Sequence, residues 1–550
     1  METDIHKVIH IHPKDNVLVA LQDLSAGETI TFENAQYVLK EDIPAKHKFF
    51  MQDMQFGDEI FMYGVLVGKA QMFIPQGSRM STENTKHAAQ PFYYRKVDYH
   101  WHKPDISKFE GRTFNGYHRS DGRVGTANYW LFLPTVFCEN RNLDVIKEAL
   151  HNELGYAVTD KYKDFTHTLL SLYKNGNDIL INDVEIKEAD VPTKRFFRNV
   201  DGIKFLNHQG GCGGTRQDAA TLSKLLAAYA DHPNVAGVTV LSLGCQHLQV
   251  KNFLNDLKEH NPSFDKPLYI FEQQQSKSEE QLIKDAIKQT FLGLVEANKL
   301  ERKPAALDKL VIGVKCGGSD GFSGISANPS VGYTADLLVA LGGKILLAEF
   351  PELCGAEQNL IDRTENKEAA EKFINLMTTY NRQAESVGSG FYMNPSPGNI
   401  KDGLITDAIK SAGAAKKGGT APVADVLDYT EPAVKPGLNL VCTPGNDVEA
   451  TTGKAAAGAT LILFTTGLGT PTGNPVCPVI KVATNTSLAA RMKDIIDIDT
   501  GSIIRGEKTI QQMGEEILEF CIKVASGEIT PKAVQLNQDD FIPWKRGVSL

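Results

Sequence analysis

The stretch from Lys315 to Gln358, KCGGSDGFSGISANPSVGYTADLLVALGGKILLAEFPELCGAEQ, restricts the fold more than any other part of the chain. It stands behind a short Val/Ile-rich run, 310–314, stopped by Gly317-Gly318, which is how a buried strand reads. After a polar loop, Pro329 suits the first turn of a helix that carries Tyr333, Leu337, Leu338 and Leu341 inward and stops at Gly342-Gly343. Residues 345–348 form a second strand. The unit is βαβ, and its first strand ends in a glycine-rich loop. In open α/β sheets ligands sit at such ends, where backbone N–H groups and helix N-termini point. The loop gathers Cys316, Ser319, Asp320, Ser323 and Asn328. A plain turn needs only two or three polar residues.

The chain's 550 residues correspond to roughly three or four domains. Residues 8–98 read as a small β-rich module, with its ordered part expected to end near Ile74. Its polar candidates are His12, Asp15, Asn16, His47, Lys48 and Tyr63. Each histidine alone is more often structural than chemical. Gln76 to Ile106 reads as a linker. The second block, 112–300, places Arg119, Arg123 and Asn128 ahead of an apolar strand at 129–133. A charged helical excursion follows at 160–199. His208 and Cys212 then stand at one strand-end glycine turn, and Cys245 at another, with a return helix near 252–259. Residues 300–304 read as a second linker. The third block, 305–545, adds NPSPGN at 394–399, PGND at 444–447 and TTGLGTPTGNP at 465–475, the last two after strands. The fold class expected is α/β: a small β-rich N-terminal module followed by two Rossmann-like, parallel-sheet domains.

Net charge is −9 and no basic stripe is visible, which argues against nucleic acid. No run approaches the roughly 20 apolar residues of a membrane span, and the N-terminus lacks an apolar signal core. Eight scattered cysteines read as reduced thiols, so a cytoplasmic location is expected. A homo-oligomer is compatible with this reading.

Cys212, Cys245 and Cys316 each stand at a strand end beside glycine. Three thiolates on separate loops can hold iron and leave a position open for substrate. The alternative is three small buried hydrophobes. TTGLGTPTGNP lacks both the G-x-G-x-x-G fingerprint and a Walker lysine. Its hydroxyls suit a small polyol carboxylate, or it is a mobile surface loop.

KCGGSDGFSGISANP, NPSPGN, PGND, FTTGLGTP, GYHRSDGRVGTAN, HQGGC and LGC together resemble the altronate dehydratase and galactarate dehydratase family, over nearly the whole chain. The 8–98 block is similar to the family's SAF module. GAEQ at 355–358 and PGND resemble the altronate branch more than the galactarate branch. Where the family commonly reads GCE, this chain has Gly244-Cys245-Gln246, and the 160–199 excursion is longer than usual. The resemblance implies removal of water from a sugar acid: D-altronate to 2-keto-3-deoxy-D-gluconate in hexuronate catabolism, with galactarate or another aldarate or aldonate as the alternative. It also implies Fe2+, as a single ion or an iron–sulfur cluster bound by the three cysteines.

On this reading His12, His47, Lys48, His208 and Asp320 are the catalytic candidates, with base and acid unassigned. Lys48 or Arg119 would hold the carboxylate. Ser319, Ser323, Asn328, Asn399, Thr466, Gly467 and Thr470 would contact the rest of the substrate. The module, on its linker, is expected to swing as a lid over the sheet edge. A sugar-acid binding protein without activity is the reading from another class. It would normally carry an output or DNA-binding segment, and no basic helix is visible.

Overall fold

The protein's structure, a computed structural model, describes residues 7–157, 161–186 and 195–547. Two parallel sheets carry the fold, their inner strands buried on both faces and their edge strands Leu268–Glu272 and Ile498–Asp499 half-buried. The larger has seven strands, in the order Val423–Leu427, Gly437–Val441, Lys344–Leu347, Val311–Cys316, Leu461–Thr466, Val479–Ala483 and Ile498–Asp499. All are parallel; Ile312 pairs with Ile345 on one side and Leu461 on the other. The helix Ala327–Ala340 returns the chain from the central strand, with Pro329 in its first turn. The smaller sheet runs Gly202–Phe205, Tyr129–Pro134, Val235–Ser242 and Leu268–Glu272, also parallel. Small antiparallel sheets make up the N-terminal module. The fold class is therefore the mixed α/β arrangement expected. Among the described residues no helix is long and apolar enough to cross a membrane.

Several local expectations are corrected. Order in the module continues past Ile74: Met80 is fully buried and Thr85–His87 pairs with Val65–Ala70. Residues 300–304 are not a linker, because Lys303–Ala306 is a strand paired with Thr113–His118. Of the 160–199 excursion, Lys161–Lys174 is a helix that buries no residue, while 158–160 and 187–194 lie outside the described residues.

The expected lid hinge is also corrected. Residues 88–106 lack regular structure but are strapped to the C-terminal region. The Tyr93 N–H donates to Gln358 Oε1 at 3.0 Å, Arg95 Nε to Asp362 Oδ1 at 2.8 Å, and Tyr99 Oη to the Thr420 carbonyl at 2.6 Å. The module itself shares a core with the C-terminal region. Val17, Phe50, Ile60 and Met62 belong to one apolar cluster with Phe322, Ile325, Leu404 and Ile409. Leu226, Tyr229 and Val238 of the second block likewise pack with Ile462, Phe464 and Val479.

The seam between module and C-terminal region depends on glycine at two points. A Cβ on Gly321 or on Gly403 would stand 2.5 Å from the Lys46 carbonyl oxygen, and Gly403 also has φ 90°. Gly403→Ala is expected to cost about 2 kcal/mol of stability and to reduce activity, by forcing the module outward. A thermal melt checks this; unchanged melting and turnover would show that the seam yields freely.

Candidate active site

Strand order in the large sheet reverses at the central strand. From Val311–Cys316 the chain first builds one side, then returns to place Leu461–Thr466 on the other. In such sheets the place for a ligand is the carboxyl ends of the two strands. Four glycine-bearing loops meet over it. The N–H groups of Gly467 and Leu468 both donate to the Gly318 carbonyl at 3.0 Å. Asn399 Nδ2 donates to the Ser319 carbonyl at 2.8 Å. A Cβ on Gly317 would stand 2.5 Å from Asp447 Oδ1, and one on Gly467 only 2.2 Å from Asp320 Cγ. Loops this close are possible only where the side chain is absent.

Asp320 lies at the floor, fully buried. Its Oδ1 accepts from the Phe322 N–H and Ser323 Oγ, and its Oδ2 from Thr484 Oγ1 at 3.1 Å. Lys46 Nζ of the module reaches Asp320 Oδ2 at 3.1 Å and Asp402 Oδ1 at 2.9 Å. Burial opposes the charge on Lys46, but the two carboxylates outweigh it and hold its pKa above the ordinary lysine value. Lys46 adopts φ 76°, a left-handed conformation rare outside glycine and concentrated at functional sites.

His47 and Lys48 touch the same loop. His47 Nε2 faces the Lys401 carbonyl at 3.0 Å, which assigns the proton to Nε2 and the lone pair to Nδ1. Nδ1 is buried and has no hydrogen-bond partner. Burial, with Lys48 and Arg79 nearby, keeps the imidazole pKa below the ordinary 6.5, so it is neutral near pH 7. Lys48 Nζ is fully buried and donates to the carbonyls of Lys46 at 2.9 Å and Gly403 at 2.7 Å. Burial, partly offset by Asp320, pushes its pKa down to about 7.

A lysine with a depressed pKa binds its proton in the unfolded chain over a range where the folded protein has released it. The Lys48 contribution to stability therefore rises with pH from about 7 to 10.5. The melting-temperature difference between wild type and Lys48→Met is expected to shift in favour of wild type between pH 7 and 9. A flat difference would mean that Lys48 has an ordinary pKa.

Below the Pro444–Asp447 loop, at the end of the central strand, lies Lys315. Its buried ammonium contacts the Glu349 carboxylate, Asp447 Oδ1 at 2.9 Å and the carbonyls of Cys316 and Gly445.

The structure thus brings His47, Lys48, Asp320, Ser319, Ser323, Asn328, Asn399, Thr466, Gly467 and Thr470 to one place. Many of these use their polar groups to hold the loops. Asn328 Oδ1 accepts from Thr465 Oγ1 at 2.6 Å, and Thr466 Oγ1 accepts from the Gly469 and Thr470 N–H groups.

Three other candidates sit elsewhere. His12 stays on a turn of the module, packed over Gly64, with Nδ1 accepting from the Lys14 N–H. Arg119 is no carboxylate holder, because it is spent on the Pro233 carbonyl at 2.7 Å and Asn128 Oδ1 at 3.1 Å. His208 has no free nitrogen: Nε2 pairs with the Pro134 carbonyl at 2.9 Å and Nδ1 accepts from the Gly210 N–H, while burial lowers its pKa to about 4. Gln246, which stands where the family commonly has glutamate, braces two strands by donating to Thr135 Oγ1, Ser242 Oγ and the Leu248 carbonyl. A carboxylate could not donate there.

The three cysteines are not drawn into one ligand set. Cys212 is exposed beside a cavity of about 330 Å³ lined also by His208, His247, Phe541 and Trp544. Cys245, also exposed, accepts from Gln274 Nε2. Cys316 is buried at the crevice floor, its Sγ 2.7 Å from Ser319 Oγ. Among the described residues no group of three His, Cys, Asp or Glu side chains is placed to hold a metal ion. These residues do not fit the three-thiolate iron site expected.

Sequence reasoning missed Lys46, Asp402, Lys315 and Glu349. Lys315 carried a visible signal, a lone lysine inside the apolar strand VIGVKC.

Residues 307–549 match the family described as D-galactarate/altronate dehydratase, C-terminal. Residues 116–298 match D-galactarate dehydratase/altronate hydrolase, second domain, and residues 6–88 the altronate/galactarate dehydratase SAF domain. The chain is 33% identical over 549 residues to the altronate dehydratase of Escherichia coli strain K12, covering 98% of this chain and 99% of that one. It is 33% identical over 545 residues to the altronate dehydratase of Bacillus subtilis strain 168, covering 98% and 99%. It is 31% identical over 531 residues to the galactarate dehydratase (L-threo-forming) of E. coli strain K12, covering 96% and 94%.

Proposed function

Since the chain belongs to the altronate and galactarate dehydratase family, we propose that it is a hydro-lyase converting D-altronate to 2-keto-3-deoxy-D-gluconate, at the crevice where the module meets the large sheet. The observation that carries the site is the convergence of Lys46, His47 and Lys48 on Asp320 and the 401–403 loop, at the strand-order reversal.

The reaction removes the C2 proton and the C3 hydroxyl as one water and leaves an enol that rearranges to the 2-keto acid. His47 Nδ1, bare and neutral, takes the C2 proton. Lys48, with its pKa near 7, delivers a proton to the departing hydroxide. Lys46 and Asp320 hold both in register across the seam. Iron, implied by the resemblance, enters no step of this reading, because the thiols do not form its site.

Turnover of D-altronate, galactarate and related aldonates by the purified protein, with and without ferrous ion, tests the substrate. Galactarate turnover without altronate turnover would reassign it. The residue roles separate by isotope exchange. His47→Gln is expected to lose dehydration by about a hundredfold or more, together with C2–H exchange into deuterated water, whereas Lys48→Met loses dehydration but keeps exchange. Exchange retained in His47→Gln would remove His47 as the base. The kcat/KM limb that reports His47 should rise with pH and lie below pH 6.5, since the neutral imidazole is the active form.

A further inference from the structure

Behind the crevice, one carboxylate is surrounded by three ammonium groups. Glu349 is fully buried, and its carboxylate contacts Lys315, stands 3.0 Å from Lys417 Nζ and 3.7 Å from Lys454 Nζ. All three lysines are fully buried. The Lys417 and Lys454 ammonium nitrogens have no hydrogen-bond partner. Glu349 is held at φ 69°, a left-handed conformation for a residue that is not glycine. Among the described residues, Asp447 is the other carboxylate in contact with these lysines, on Lys315, and Glu352 acts on Lys315 and Lys454 through space. Burial lowers the Lys454 pKa to about 7, whereas Glu349 and Asp447 keep Lys315 protonated, so Lys315 is the ammonium an incoming carboxylate would meet.

The cage reaches the surface on the side of Asp447. The Asp447 side chain is 28% exposed and Gly445 is partly exposed, whereas the Glu349, Lys315, Lys417 and Lys454 side chains show no exposed surface. Asp447 is the first residue of the helix Asp447–Ala456. Its carboxylate can turn off Lys315 and remain favourably placed at that helix N-terminus, where negative charge is stabilised.

We propose that this cage is the carboxylate site of the sugar acid: the substrate carboxylate displaces Asp447 and pairs with Lys315. Glu349, Lys417 and Lys454 are positioning residues that hold Lys315 at the end of its strand. The exchange replaces one carboxylate on Lys315 by another, so it leaves the charge of the cage unchanged. Lys315, kept firmly protonated by Glu349 and Asp447 against the effect of burial, would also face the negative charge that spreads onto the carboxylate as the C2 proton leaves. This inference rests on the function proposed above.

The test uses glycolate, a 2-hydroxy acid with no C3 hydroxyl to lose. Glycolate is expected to inhibit sugar-acid turnover competitively and to protect the full-length protein against thermal unfolding. Asp447→Asn removes the competing carboxylate, and its glycolate inhibition constant should fall about tenfold, with a lower KM for the sugar acid. Lys315→Gln should raise KM and abolish glycolate protection. Asp447 is partly exposed and its variant should fold, so it decides the matter if Lys315→Gln does not. Unchanged or weaker glycolate binding in Asp447→Asn overturns the cage while leaving the dehydratase reading intact. Absence of turnover on every sugar acid overturns that reading, and the thermal protection assay still tests the cage.

Discussion

Replacing Asp320 by Asn is expected to lower kcat about a thousandfold while the protein stays folded. The residue is nearly isosteric, so the loops should keep their packing. What is lost is the charge that joins two parts of the chain. Lys46 Nζ would keep Asp402 at 2.9 Å but lose its fully buried partner at 3.1 Å. A side-chain amide at the same point would turn its N–H group either toward Lys46 and Thr484 or toward the Phe322 N–H and Ser323, and neither orientation satisfies all four donors. The His47–Lys48 pair would no longer be drawn against the 401–403 loop. The split between kcat and KM separates this from plain destabilisation. A loss confined to kcat, with the melting temperature within a few degrees of wild type, supports a role in holding the proton-transfer groups. A variant with normal kcat would show that the module is positioned by its apolar contacts alone.

Removing residues 1–98 is expected to destroy solubility, not merely turnover. The sequence suggested a detachable module on a long linker, and a folded body was the natural expectation. The shared apolar cluster leads to the opposite expectation. Phe322, Ile325, Leu404, Ile405 and Ile409 are buried against the module in one cluster, and they would form a continuous exposed apolar face in its absence. Faces of this kind drive association. The strap through Tyr93, Arg95 and Tyr99 would go as well, uncovering Gln358, Asp362 and Thr420. Size-exclusion chromatography and a thermal melt of the truncated chain decide the matter. A monodisperse body with a cooperative transition would show that the seam is an ordinary surface.

Much of the fold was legible because its signals are local. VIGVKC followed by glycines, a proline in a first helical turn and a glycine stop are all read within a short window, and each appears where expected. The glycine-bearing loops were legible for the same reason, and the parallel sheet then brought them to one edge. What the sequence withheld are partnerships made only in the folded state. Lys46 meets Asp402 across 356 residues, and no neighbour of either marks the pairing. The cysteines misled by the same logic in reverse. Cys212, Cys245 and Cys316 share a strand-end glycine signature, but the signature does not say which sheet edge each one joins. Arg119 and His208 misled because a polar residue that braces backbone carbonyls looks, in sequence, like one that waits for a ligand.

The reach of Lys48 has a consequence in time. Its acceptor on Gly403 lies 355 residues further along the chain. At a synthesis rate of about 5–20 residues per second, the module leaves the ribosome roughly 20 to 70 s before that acceptor exists. Through that interval Val17, Phe50, Ile60 and Met62 have nothing to lie against, and the amine of Lys48 has lost one of its two carbonyls. The nascent chain thus carries half of a core and half of an active site at its leading end. Anything that slows elongation between these two points lengthens the period in which that half is open to chaperones, proteases and other copies of itself.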